Sequence, residues 1–234
     1  MKVKNIFILA AMSLTLASCS DLFEPADENN RGLDEIYNEP TYAQGLLGYG
    51  YSMLPYNTKS VTDIATDDAV SNDLTNGFLK MATGSWTANN DPMSKWTSGR
   101  ACIQYLNIFL QEVDKVNWAK DENARKMYCD SRKGEAYALR ALNLYYLLMN
   151  HGGWTADGKL LGVPNLTEPE TSTDDFNKPR NTFQECLDQI YSDLDEAAKL
   201  LPLDYNDLTD DNAVPAKYKE IGVKTAGDYN RVFG

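Results

Sequence analysis

The stretch TFQECLDQIYSDLDEAAKLLP, residues 182–202, reads as one helix from its start to its stop. Thr182 followed three residues later by Glu185 has the form of a capping box, in which hydroxyl and carboxylate each satisfy a backbone N–H that the first turn leaves without a partner. Phe183, Leu187, Ile190, Leu194, Ala197 and Leu201 then fall on one face, and Pro202, which has no N–H to donate, ends the run. The same period recurs upstream. Ile103, Leu106, Leu110 and Val113 predict a helix over 97–117. Tyr137, Ala141, Leu144 and Leu148 predict another over 122–150, ending at Gly152-Gly153, residues suited to a left-handed cap. Tyr42, Leu46, Tyr49 and Met53 predict a first helix between Pro40 and Pro55, in which Gly45, Gly48 and Gly50 weaken the helix or admit a close neighbour.

No stretch alternates as a half-buried strand does, so the fold class is all-α: antiparallel helix pairs forming an α-solenoid or bundle, with long irregular loops. Residues 56–95 and the Pro-rich segment before Thr182 are those loops. From Leu203 to Gly234 the chain is polar and weakly periodic and offers no closing amphipathic element.

Composition narrows the function. In 234 residues, 43% hydrophobic and 24% charged, there is enough apolar material for a folded core. The 34 acidic residues outnumber the 22 basic ones, and a net charge of −12 repels nucleic-acid phosphates. His151 is the one histidine, which excludes zinc centres with several His ligands, and no C-x-x-C spacing is present. A calcium loop starting at Asp204 fails at its fifth and sixth positions, Leu208 and Thr209. The doublets Asp67-Asp68, Asp174-Asp175 and Asp210-Asp211 sit in polar loops and read as solvated rather than as a glycosidase pair. No metal and no cofactor are therefore expected.

The N-terminus carries an address. Lys2 and Lys4 precede an uncharged, mostly apolar run, Ile6 to Leu16, too short for a membrane span of about 20 residues and of the length of a signal-peptide core. Leu16-Ala17-Ser18-Cys19 then resembles a bacterial lipobox, so residues 1–18 are expected to be a lipoprotein signal peptide, Cys19 the lipid attachment site and residues 19–37 a tether. The plainer alternative is a cleaved secretory signal with a cysteine nearby. Cys102, Cys129 and Cys186 remain, and Cys102 and Cys186 read as buried free thiols on helical stretches.

Two segments resemble a known family. Gly134-Glu135-Ala136-Tyr137-Ala138-Leu139-Arg140-Ala141, leading to Gly152-Gly153 and Gly162-Val163-Pro164, is similar to a helix and turn of the SusD/RagB nutrient-binding outer-membrane lipoproteins of Bacteroidetes. Pro179-Arg180-Asn181-Thr182 with Glu185, Ile190, Asp193-Leu194, Ala197 and Leu201-Pro202 is similar to the helix that follows it. Thr66-Asp67-Asp68, Trp96, Ile103 and Asn107 extend the likeness upstream. Here the stretch from Trp154 to Leu161 widens the turn between Gly153 and Gly162, and the chain resembles only the N-terminal portion of a family member, so residues 38–234 are expected to be a truncated SusD-like helical domain. The resemblance implies tetratricopeptide-like helix pairs, no catalysis and a cell-surface, outward-facing position on the outer membrane. It further implies capture of oligosaccharide or polysaccharide for a TonB-dependent, SusC-like transporter in a polysaccharide utilisation system. A helical-repeat adaptor acting only through protein–protein contacts is the alternative.

A sugar site needs flat apolar faces with polar groups beside them. Trp86, in a loop with Asn89, Asn90 and Asp91, and Trp154 after the glycine pair are the candidate ligand-binding residues, with plugging of a helix–loop seam as the alternative for each tryptophan. Trp96 and Trp118 are expected in the core, as are Tyr145 and Tyr146, Arg140 in a structural ion pair or cap, and His151 on the carbonyls ending its helix.

Overall fold

In chain order the helices are α1 (Pro40–Ser52), α2 (Gly77–Ala82), α3 (Trp96–Glu112), α4 (Glu122–His151), α5 (Phe183–Leu200), α6 (Ala216–Glu220) and α7 (Ala226–Phe233). They come from a computed structural model that describes residues 37–54, 62–87, 89–202 and 208–233, all within the unit spanning Ile36–Gly234. The expected signal peptide (1–18), Cys19 and all of the expected tether (19–37) but its last residue lie outside the described residues. Among the described residues no helix is long and apolar enough to cross a membrane.

The spine is α4, whose 30 residues rise about 45 Å. It is started by Asp121, whose carboxylate accepts the Ala124 N–H at 2.9 Å. A first core forms where Ala43 and Leu47 of α1 meet Cys102, Leu106 and Phe109 of α3 and Ala136 and Leu139 of α4. A second joins Ile103 of α3, Leu144, Leu147 and Leu148 of α4, Val163, and Cys186 and Ile190 of α5. Helices α4 and α5 run antiparallel, because Gly134 faces Leu200 and Leu201 while Arg140, further along α4, faces Asp193. The space at Gly134 explains that glycine: an added Cβ would come within 2.7 Å of the Leu201 Cγ. Thr182 and Glu185 do form the capping box, with the Thr182 N–H donating to Glu185 Oε2 at 2.7 Å and the Glu185 N–H to Thr182 Oγ1 at 3.1 Å. The all-α class holds, with one addition: Gly153-Trp154 (β1) pairs antiparallel with Leu160-Leu161 (β2) in a two-residue ladder.

Several expectations are corrected. The stripe of α1 that is fully buried is Ala43, Leu47 and Gly50, with Tyr42 exposed and Leu46, Tyr49 and Met53 flanking it. Gly152 is not a left-handed cap but extended (φ −78°, ψ 154°). Its need for glycine is steric, since a Cβ would lie 2.6 Å from the Leu148 carbonyl oxygen. A closing element does exist within residues 208–233: Val214, Tyr218, Val223 and Tyr229 from α6, α7 and their connections bury against Met127 of α4 as a third core. Its apolar residues come from pieces of 5 and 8 residues, too short to show a period against polar neighbours. Tyr145 is exposed, its ring edge-on to Tyr146.

Candidate functional site

Polar residues 100, 104 and 107 of α3 form a stripe spaced by four and three, which places them on one face. That face binds the loop before α5. The Asn107 amide donates to the carbonyls of Leu166 and Glu168, both at 3.0 Å. Gln104 clamps Glu170 from both sides, donating to its carbonyl and accepting its N–H, each at 2.8 Å. Arg100 donates to the Glu170 carboxylate at 3.1 Å.

Beneath this lies the ion pair expected of Arg140. Its guanidinium donates to both oxygens of Asp193 at 2.8 and 2.7 Å, to Asn107 Oδ1 at 2.8 Å and to the Thr167 carbonyl at 3.1 Å. Both partners are buried, and Gln189 adds a donor to Asp193 at 3.0 Å. The network ties α3, α4, α5 and the loop together, so the loop is held by rigid elements.

Where α4 ends, the segments carrying the candidate sugar-binding residues converge on His151. The Lys95 N–H, at the N-terminus of α3, donates to His151 Nε2 at 3.2 Å, and Ser94 Oγ lies 3.4 Å away. The imidazole therefore joins the incoming loop to α4 rather than capping α4's own carbonyls. The last α4 carbonyl, that of His151, accepts instead from Arg180 (2.9 Å), which also donates to the carbonyls of Leu161 (3.0 Å) and Gly162 (2.7 Å). Burial pushes the His151 pKa below its ordinary value; the Asp91 carboxylate opposes this and the Arg180 guanidinium adds to it.

Trp86 is 47% exposed, and its loop is closed by a bridge between Thr87 and Asn90, whose N–H donates to the Thr87 carbonyl at 2.8 Å. Asn89 is exposed, Asn90 half-buried, and Asp91 accepts the Met93 N–H at 2.9 Å to turn the chain toward α3. Trp154, at the start of the hairpin three residues after His151, is 74% exposed. Neither indole stacks on another ring among the described residues. His151 thus brings the two segments to one end of the helical frame, without direct contact between the tryptophans.

Trp96, expected in the core, is 38% exposed, with His151 edge-on at 5.4 Å and the Arg100 guanidinium over its ring at 5.4 Å. Trp118 does pack on the first core and donates to the Val113 carbonyl at 3.1 Å. Residues 100, 104 and 170 were not anticipated as part of this region. The signal for them was present: Arg and Gln at i and i+4 before Asn107, on an otherwise amphipathic helix. Cys102, Cys129 and Cys186 are all buried and unpaired, and burial raises the Cys102 and Cys129 thiols to about 12. Among the described residues no group of His, Cys, Asp and Glu is placed to hold a metal.

Comparison with known proteins gives a consistent family. A family model described as SusD-like, starch-binding and associating with the outer membrane, matches residues 33–217. The SusD-like protein P38 of Formosa agariphila is 26% identical over 224 residues, covering 89% of this chain and 40% of that protein. A SusD-like protein of Bacteroides fragilis, known from its crystal structure, has the same fold: TM-score 0.57 at 20% identity, over 76% of this chain and 33% of that one. The chain spans well under half the length of either relative.

Proposed function

The chain belongs to the SusD-like family, and from that premise we propose that it is a cell-surface glycan-binding lipoprotein. In this reading it is anchored to the outer membrane through Cys19, faces outward, breaks no bonds, and delivers oligosaccharide to a TonB-dependent, SusC-like transporter. The observation that carries the reading is the family match over residues 33–217, whose description is starch binding. Two features support it. Trp86 and Trp154 are both exposed, and an exposed indole gives a sugar ring a flat apolar face for its axial C–H groups. Asn89, Asn90 and Asp91 follow Trp86 in the same loop and would supply polar partners for hydroxyls.

Affinity electrophoresis against a polysaccharide panel tests the proposal. The expected result is retardation in at least one glycan gel, reduced when Trp86 and Trp154 are both changed to Ala. Migration unaffected by every glycan would refute it. The anchor is tested by metabolic labelling with an alkyne fatty acid: incorporation is expected, and is lost in Cys19→Ser. An unlabelled chain would refute that element.

A further inference from the structure

At the start of α3 a cleft of about 390 Å³ is lined by Trp96, Arg100, Gln104, Glu170 and Phe176, among others. We propose that this cleft takes an acidic sugar, a hexuronate residue whose carboxylate pairs with Arg100 while its ring packs on Trp96 and Phe176. The proposal rests on the glycan-binding reading above and names a substrate class for it, at residues distinct from Trp86 and Trp154.

The donors are unspent. Arg100 reaches Glu170 through Nη2 alone, at 3.1 and 3.4 Å, and its Nε and Nη1 donate to no acceptor among the described residues. Lys178 brings its ammonium to the same carboxylate at 3.1 Å. Glu170 is therefore shared between two cations, and Lys178 also faces the Asp174 carboxylate of the same loop, which leaves the Arg100 guanidinium only partly matched by Glu170. A guanidinium with a free edge matches a carboxylate in a planar, charge-assisted pair, which a neutral hydroxyl does not replace.

The arrangement is also held in place. Gln104 fixes the Glu170 backbone through both its N–H and its carbonyl, so the carboxylate that orients Arg100 extends from an anchored residue. Arg100 in turn lies over the Trp96 ring, which presents cation and aromatic surface together. Phe176, 56% exposed, has no buried role that would explain a phenylalanine in a loop otherwise made of Thr, Ser, Asp, Asn and Lys.

Isothermal titration of the 234-residue chain with tri-galacturonate and with its methyl ester separates charge from shape, because the ester is neutral and otherwise alike. The acid is expected to bind about ten- to a hundredfold tighter than the ester, the range of a hydrogen-bonded charge pair. Arg100→Met is expected to bring that ratio close to one, Arg100→Lys to leave it intermediate, and Trp96→Ala to weaken both ligands together, with far-UV circular dichroism confirming each fold. Equal affinity for acid and ester in the unaltered chain, or a preference that survives Arg100→Met, overturns the proposal. A chain that binds neutral glycans but no uronide overturns it and leaves the family-level reading standing; a chain that binds no carbohydrate overturns both.

Discussion

Replacing Arg140 by Met keeps an unbranched, largely aliphatic stem but removes the charge from the centre of the molecule. The substitution deletes two bonds to Asp193, one to Asn107 and one to the Thr167 carbonyl. It leaves the Asp193 carboxylate, 2% exposed, with Gln189 as its remaining side-chain donor. Breaking a buried pair on one side costs about 3–5 kcal/mol, because the surviving charge can neither pair nor reach water. That is a large share of the 5–15 kcal/mol that typically separates folded from unfolded chains. With a slope of about 2 kcal/mol per M urea, the unfolding midpoint should fall by about 2 M. Arg140→Met/Asp193→Leu, which removes both charges, should recover about half of the loss or more. Urea titrations followed by far-UV circular dichroism measure Arg140→Met, Asp193→Leu and the double variant. A loss below about 1 kcal/mol in Arg140→Met, or a double variant as unstable as the sum of the single ones, would refute the view that this pair fastens α3, α4 and α5 to the loop.

Three further outcomes are expected. His151, the one histidine, should titrate by proton NMR below the ordinary value of about 6.5, lower still in Asp91→Asn and higher in Arg180→Met. Since the unfolded imidazole binds its proton first, the stabilisation from neutral His151 is complete above about pH 6.5 and is lost as pH falls through the folded value; a midpoint at or above 6.5 would contradict this. Cys102, Cys129 and Cys186, buried and with thiols held protonated, should resist alkylation at pH 8 until urea unfolds the chain, and rapid labelling of any of them in the folded chain would disprove their burial. Thr182→Ala should cost about 1 kcal/mol through loss of the capping box at α5, read as a drop in the urea midpoint, and no change would show that the cap contributes nothing.

What could be read from the sequence follows from how local the governing forces are. The cap and apolar face of α5 are encoded within 20 consecutive residues, and α3 and α4 show the same period, so element type and order emerge directly. Arg140 was legible as a structural charge, since a guanidinium among Leu and Ala needs an acid, but its partner lies 53 residues away on another helix and no local pattern marks it. The C-terminal core was missed for a related reason: Tyr218 and Tyr229 bury against each other and Met127 only after α6 and α7 fold back onto α4. At the candidate site, the exposure of Trp86 and Trp154 agrees with their loop setting. Trp96 looked like core because it begins an amphipathic helix, yet its position on the first turn leaves it at the rim, between His151 and Arg100.

The most direct test of sugar capture at this end of the molecule is the set of indole N–H resonances, one from each of the 4 tryptophans, recorded while a retarding oligosaccharide is titrated in. Trp86 and Trp154 should shift progressively with saturation, while Trp118, bonded to the Val113 carbonyl, stays in place. Saturable binding with Trp86 and Trp154 unmoved would contradict the account.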